Sequence, residues 1–239
     1  MRVLVTRPRP DAERFAEELS ALGHNAQVEP LFEVVFHADA KVDLTGVQAL
    51  LFTSANGVRA FCSALAGHRP EDLSLQVFAV GDASARTAAE YGFTSIESAG
   101  GDVTDLTALV TRRLEPAAGG LFHAAGSKVA GDLKGGLEAA GFRFHRSVLY
   151  ETREAAGLSA GLQAQLRHGE IDAVTFFSPR TAGSFVRLIS AAGLEETLRT
   201  SLAVCLSAAV KERLEPLHWK SVLVAREPTQ AAMLAVLDR

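Results

Sequence analysis

The chain has 239 residues, of which 48% are hydrophobic and 22% are charged, an ordinary composition for a globular protein. A chain of this length is expected to form two domains of roughly 100–120 residues each. Its net charge is −4 without a basic cluster, which argues against nucleic-acid binding. No apolar segment approaches the roughly 18–20 residues of a membrane span. A strand-like segment at residues 3–5 stands where a signal peptide would lie, so we expect a cytoplasmic protein.

Ten short apolar segments are predicted to be β-strands, and amphipathic segments that are predicted to be helices lie between them. The first helix is typical, because Phe15, Leu19 and Leu22 recur at helical spacing and Gly23 follows as a stop. Continuous apolar strands that alternate with helices indicate an α/β fold with largely parallel sheets, covered on both faces. The strands are expected at residues 3–6, 27–31, 49–53, 76–80, 94–98, 121–123, 143–149, 173–177, 202–205 and 221–225.

The sequence contains an internal duplication. Similar landmarks recur at a nearly constant separation of roughly 120 residues, which predicts two copies of a five-strand unit. The alternative is that any two α/β segments can be aligned in partial register. The matching pairs are residues 3–6 and 121–124, Gly23 and Gly141, Ser54 and Ser178, residues 79–80 and 203–204, and Thr104 and Thr229.

The two copies are not predicted to be consecutive domains. Residues 115–120, between the copies, are few enough for an ordinary turn, whereas longer breaks lie at residues 33–46 and 151–159. Each domain is expected to hold five strands, and the two chain crossings are expected to make a hinge beside a cleft. The predicted parts are a discontinuous α/β domain (1–35 and 160–239), an inserted α/β domain (46–150) and two linkers (36–45 and 151–159).

Small hydroxyl side chains, glycines and basic residues follow the predicted strands. Ligands of open parallel α/β sheets bind outside the carboxyl ends of the strands. Helix N-termini, hydroxyls and guanidinium groups at that edge suit anionic ligands. For each single hydroxyl, an ordinary N-cap is the alternative. The candidate binding residues are Arg7, Ser54, Asn56, Gly81, Thr104, Ser127, Lys128, Ser178, Ser207 and Thr229.

The sequence lacks the motifs of several classes of enzyme. There is no Gly-rich dinucleotide fingerprint, no phosphate-binding Gly-Lys-Ser/Thr loop and no Gly-x-Ser-x-Gly turn. The histidines never fall at metal-ligand spacing, so we expect no metal site. Cys62 and Cys205 occupy different positions in the two copies, which argues against a racemase with one cysteine from each half.

The order and spacing of several motifs resemble the uroporphyrinogen-III synthase family over essentially the whole chain. The resemblance implies two flavodoxin-like domains, one of them discontinuous, joined by a two-stranded linker. The chain departs from the family at Cys205, where a glycine is common, and at residues 123–126, where His-Ala-Ala-Gly replaces a common arginine–glycine. The motifs are Val5-Thr6-Arg7-Pro8, LFTSANGV at residues 51–58, Val80-Gly81, VLYET at residues 148–152, FFSP at residues 176–179 and Pro228-Thr229.

The resemblance also implies an activity. Enzymes of this family cyclise the linear tetrapyrrole hydroxymethylbilane to uroporphyrinogen III, invert the last ring, release water and use no cofactor. Tyr150 matches the family's tyrosine and is the candidate catalytic residue, because a phenol is protonated at neutral pH and can assist departure of a hydroxyl. The alternative for Tyr150 is packing at the linker with its hydroxyl toward water.

Two other classes of function stay open on the sequence alone. One is a two-lobed binder that returns a small anionic ligand unchanged, and the other is an enzyme that acts on another anionic metabolite. The expected partner is the small-molecule substrate, with no nucleic acid or membrane, and the expected state is a monomer.

Overall fold

A computed structural model of the chain describes residues 1–65, 73–128 and 131–238. The strands are β1 (Arg2–Val5), β2 (Asn25–Val28), β3 (Phe32–Phe36), β4 (Val47–Phe52), β5 (Gln76–Ala79), β6 (Ile96–Ser98), β7 (Gly120–Gly126), β8 (Arg143–Glu154), β9 (Ala173–Phe176), β10 (Leu202–Cys205) and β11 (Ser221–Val224). The α-helices are α1 (Asp11–Ala21), α2 (Ala55–Ala64), α3 (Asp82–Glu90), α4 (Val103–Arg113), α5 (Leu133–Ala139), α6 (Ala160–Arg167), α7 (Pro179–Ala192), α8 (Ala208–Glu212) and α9 (Gln230–Leu237). Each of the ten predicted strands overlaps an observed one.

The chain divides into two compact units, each built on its own sheet. Unit 1 comprises Met1–Glu33 and Arg153–Arg239, and unit 2 comprises Val34–Thr152. The sheet of unit 1 has the order β2-β1-β9-β10-β11, in which all neighbouring strands are parallel. This is the doubly wound, flavodoxin-like strand order.

Unit 2 repeats that order from a different starting point in the chain. Its sheet runs β8-β7-β4-β5-β6, so β7 takes the place of β1 and β4 takes the place of β9. The four pairings among these strands are parallel. The two units are therefore circular permutations of one topology, and the internal duplication predicted from the sequence is confirmed.

The expectation of five strands in each domain is wrong for unit 2, which has a sixth strand. Strand β3 lies at the edge of the sheet beside β8, and β8 continues to Glu154, past the predicted strand end at residue 149. Both extra segments carry charged residues, so their sequence pattern is typical of a loop. Pairing with a neighbouring strand nevertheless satisfies their backbone N–H and C=O groups. The chain passes between the units within β3 and β8, so the segments interpreted as linkers are partly strand.

Each sheet is covered on both faces by separate apolar clusters, because successive side chains of a strand point to opposite sides. Along β4, Leu50 and Phe52 join one cluster, whereas Ala49 and Leu51 join the other. The strands of unit 1 divide in the same way. In the described part of the chain, none of the helices has both the length and the apolarity needed to cross a membrane.

Candidate functional site

The predicted site residues of unit 2 converge where β4 and β7 end. Ser54 follows β4 by two residues, and Tyr150 pairs in register with Gly126, the last residue of β7. The hydroxyl oxygens of Ser54 and Tyr150 lie 2.7 Å apart, and either can donate the hydrogen bond. We call these two residues the Ser54/Tyr150 pair.

Ser54 is also the N-cap of α2. Its backbone is extended, and Oγ accepts the backbone N–H of Gly57 at 3.2 Å. The N-cap interpretation is therefore confirmed for Ser54, but it is incomplete, because the same hydroxyl contacts Tyr150. The cap places the phenol one hydrogen bond away from the positive end of the α2 dipole.

The ring of Tyr150 lies against the backbone of Gly126. A Cβ atom at position 126 would stand 2.8 Å from Cζ and 3.1 Å from Oη of Tyr150. Tyr150 is only 9% exposed, and its backbone oxygen accepts the N–H of Ser127 at 2.9 Å. The phenol is therefore buried and bonded to Ser54, which differs from the alternative of a hydroxyl that points to water.

A second polar pair lies on the other face of the same sheet, and the sequence analysis missed it. Thr53 Oγ1 and His123 Nε2 are 3.2 Å apart. Burial lowers the pKa of His123 to about 4, and the nearby Arg146 cation contributes to the shift, so the imidazole is neutral at pH 7. Arg146 donates to the carbonyl oxygen of Gly126 at 2.7 Å and so holds the end of β7. The departure from the family at residues 123–126 thus places a neutral, buried histidine within β7.

The start of α4 is already occupied by side-chain carboxylates. Asp102 accepts the N–H groups of Thr104 and Asp105, and the Asp105 carboxylate accepts the N–H of Asp102. These hydrogen bonds lower the pKa of Asp102. A groove of about 620 Å³ beside Thr104 is lined by Asp102 and Asp132. This environment suits neutral groups better than anions.

The other candidates of unit 2 follow its strand ends. Gly81 is the N-cap of α3, and a Cβ atom there would meet nothing within 4 Å. Asn56 accepts a hydrogen bond from Arg59 at 2.8 Å. Ser127 and Lys128 are exposed directly after β7.

In unit 1, Arg7 is held in a defined position at the carboxyl end of β1. Its guanidinium lies 4.3 Å from the ring centroid of Phe177 and donates to Gln230 at 2.8 Å. The Asp11 carboxylate lies 3.3 Å from Nη2 of the same guanidinium. Gln230 is the first residue of α9 and directly follows Thr229. The hydrogen bond to Gln230 therefore brings Arg7 close to Thr229, although the two residues are far apart in the sequence.

The hydroxyl candidates of unit 1 are mostly helix caps. Ser178 caps α7 through the N–H of Thr181 at 3.1 Å, and Thr229 caps α9 through the N–H of Ala232 at 3.2 Å. Ser207 stands at the N-cap position of α8 without a side-chain cap bond. The cap interpretation is confirmed for Ser178 and Thr229.

The two cysteines have no environment that would make them nucleophiles. Burial raises the pKa of Cys62 to about 11 and that of Cys205 to about 12, so both are thiols at neutral pH. Cys205 packs into the apolar core of unit 1. Among residues 1–65, 73–128 and 131–238, no group of three or more histidine, cysteine or acidic side chains could hold a metal ion.

Known proteins are similar to this chain in sequence. The sequence of a uroporphyrinogen-III synthase from Chlorobaculum parvum is 27% identical over 221 residues, 89% of either chain. A relative from Methanocaldococcus jannaschii is 32% identical over 92 residues, 38% of either chain.

Solved structures share the fold. Uroporphyrinogen-III synthetase from Helicobacter pylori matches with a TM-score of 0.64 and 17% identity, over 99% of this chain and 98% of the other. A mutant uroporphyrinogen III synthase from Thermus thermophilus matches with a TM-score of 0.56 and 20% identity, over 100% of this chain and 98% of the other. The family model described as uroporphyrinogen-III synthase HemD matches residues 13–235, which is nearly the whole chain. The protein therefore belongs to the uroporphyrinogen-III synthase family.

Proposed function

We propose that the protein cyclises hydroxymethylbilane to uroporphyrinogen III, with inversion of the last pyrrole ring and release of one water. Membership of the family supports the reaction. The observation that carries the mechanism is the buried phenol of Tyr150, held 2.7 Å from Ser54 at the end of the sheet.

Tyr150 is proposed to donate a proton to the hydroxyl that leaves the first ring. The carbon–oxygen bond breaks, water departs and the ring becomes a reactive protonated azafulvene. A phenol is a suitable donor, since it holds its proton at neutral pH. The phenolate that results lies near the positive end of α2, which favours negative charge.

The protein then has to control the geometry of ring closure. The substituted carbon of the last pyrrole attacks the azafulvene, and the spiro intermediate fragments and recloses with that ring inverted. The proton lost at the end returns to the phenolate, so the cycle is balanced. Left in water, the azafulvene closes without inversion, so orientation and exclusion of water are the main contributions of the protein.

The carboxylates of the substrate need donors, and both units offer them. We propose that Arg7 and Lys128 contribute charge. Thr104 stands apart, because the Asp102 and Asp105 carboxylates beside it favour contact with a neutral group. Neutral donors are proposed at the starts of helices, namely Asn56, Gly81, Ser178, Ser207 and Thr229, and at Ser127, which directly follows β7. The hydroxyl of Ser54 contacts Tyr150 instead. The cytoplasmic location and the monomeric state stay predictions.

The experiment compares the isomers formed from the bilane with and without the protein. The product is oxidised to uroporphyrin, and the type I and type III isomers are separated. We expect type III with the protein and type I without it. A non-catalytic binder, or an enzyme for another metabolite, would leave type I as the product, and this result would overturn the proposal.

Removal of the phenol hydroxyl tests the role of Tyr150. Tyr150→Phe is expected to lower kcat by about 10–100-fold, at or below the usual range for a general acid, while circular dichroism stays unchanged. A wild-type kcat would remove Tyr150 from the mechanism.

A further inference from the structure

The hydrogen bonds around Ser54 give a direction to the proton that it shares with Tyr150. The N–H of Gly57 can only donate, and it occupies one lone pair of Ser54 Oγ. An oxygen that accepts a hydrogen bond becomes a better donor through its own O–H. In the described part of the chain, Tyr150 Oη is the only recorded group that can accept from Ser54.

The phenol ring is held on one side by the backbone of Gly126, which limits its movement toward β7. The atoms Cζ, Cε2 and Oη of Tyr150 all lie within about 3 Å of where a side chain at position 126 would begin. The N–H of Ser127 donates to the Tyr150 carbonyl and holds the strand in place. The position of Oη is therefore set from the ring side by Gly126 and from the oxygen side by Ser54.

We propose that Ser54 is a positioning residue for the reaction: its hydroxyl donates to Tyr150 Oη, which leaves the phenol proton free for the departing hydroxyl of the substrate. When that proton moves, the carbon–oxygen bond of the substrate breaks and water leaves. The Ser54 hydroxyl keeps its own proton and its hydrogen bond, which becomes stronger as negative charge develops on Oη. This inference rests on the proposed function.

The test removes the hydroxyl without removing the start of the helix. Glycine is nearly as good an N-cap as serine, so Ser54→Gly is expected to fold normally. Loss of one hydrogen bond to a developing charge predicts a fall in kcat of about 5–10-fold with KM unchanged. Ser54→Thr keeps a hydroxyl and is expected to retain most of the wild-type kcat.

A matched control exists in α6 of unit 1. Ser159 caps that helix through an equivalent hydrogen bond, since its Oγ accepts the N–H of Leu162 at 3.2 Å. In the described part of the chain, its hydroxyl makes no hydrogen bond to a tyrosine. Ser159→Gly is expected to leave both kcat and KM at wild-type values. If both glycine variants lower kcat alike, the effect belongs to helix capping and the proposal is overturned.

Combination with Tyr150→Phe separates a positioning role from direct contact with substrate. If Ser54 acts through the phenol, Ser54→Gly will lower kcat no further in the Tyr150→Phe protein. A fall by the same factor in both backgrounds, or a wild-type kcat for Ser54→Gly, would overturn the inference alone. Failure of the wild-type protein to form type III would overturn the proposed function, and this inference with it.

Discussion

At the scale of single residues, the site of unit 2 depends on the absence of a side chain at position 126. Gly126→Ala would place a methyl group 2.8 Å from Cζ of Tyr150, so the ring would have to move. Since a displacement of about 1 Å can cost orders of magnitude in rate, we expect kcat to fall about 10-fold or more. A steady-state assay on folded protein measures this, and an unchanged kcat would mean that the ring position is unimportant.

His123 makes the stability of the protein depend on pH. The pKa of His123 is about 4 in the folded protein and near 6.5 in the unfolded chain. Between these two pH values the histidine is protonated in the unfolded chain but not in the folded protein. Its contribution is therefore fully present above about pH 6.5 and is lost as the pH falls toward 4. The loss between pH 7 and pH 5 is expected to be about 2 kcal/mol.

Urea unfolding followed by circular dichroism at the two pH values measures this loss. The control is His123→Gln, which keeps a polar group next to Thr53 but does not titrate. The difference in the free energy of unfolding between pH 7 and pH 5 should be smaller in the variant by about 2 kcal/mol. Equal pH dependence in both proteins would contradict the assigned environment of His123.

The sequence located individual residues of this site but not their contacts. Ser54 stood out because it follows an apolar strand, which is a local signal, and Tyr150 because it ends a strand and matches the family's tyrosine. Their hydrogen bond joins residues 96 positions apart, and it exists only because β4 and β8 flank β7 in the sheet. His123 gave no local signal, since its burial in the middle of β7 is a property of the folded unit.

At the scale of elements, the equivalent helices α2 and α7 each contain a glycine, and the two glycines have different surroundings. A Cβ atom at Gly57 in α2 would stand 2.7 Å from the carbonyl oxygen of Ala124 in β7, whereas one at Gly183 in α7 would meet nothing within 4 Å. Alanine favours a helix over glycine by about 1 kcal/mol. Gly183→Ala is therefore expected to stabilise the protein, by about 0.5–1 kcal/mol.

Gly57→Ala is expected to have the opposite effect, because overlap with a backbone oxygen forces α2 away from β7. Destabilisation of about 1–3 kcal/mol is the usual consequence of such crowding. Thermal unfolding of the two variants compares them directly. Stabilisation by both would contradict the close contact of α2 with β7.

The predicted elements were most accurate where burial is complete. The apolar strands β4, β9 and β10 were found from composition alone, since both faces of each are covered. Strand β3 was missed because Glu33 interrupts its apolar pattern, and only pairing at the edge of the sheet makes that segment a strand. The second strand starts two residues earlier than expected, because its register follows from pairing Asn25 with Arg2.

At the scale of the whole molecule, one strand order occurs twice with different chain entry points. The sequence revealed this duplication because matched landmarks recur, and the sheet orders confirm it. The two units have nevertheless diverged at their strand ends. In unit 2 the capping serine contacts a tyrosine, whereas its counterpart Ser178 contacts Thr181 at 2.9 Å. The proposed acid chemistry accordingly belongs to unit 2.

Turnover with the bilane in large excess over the protein tests the central claim most directly. If the protein is a cyclising enzyme, each molecule will form many equivalents of type III, and the type III fraction will stay high until the bilane is consumed. Type I as the product throughout, or type III that stops at one equivalent per protein molecule, would contradict the account.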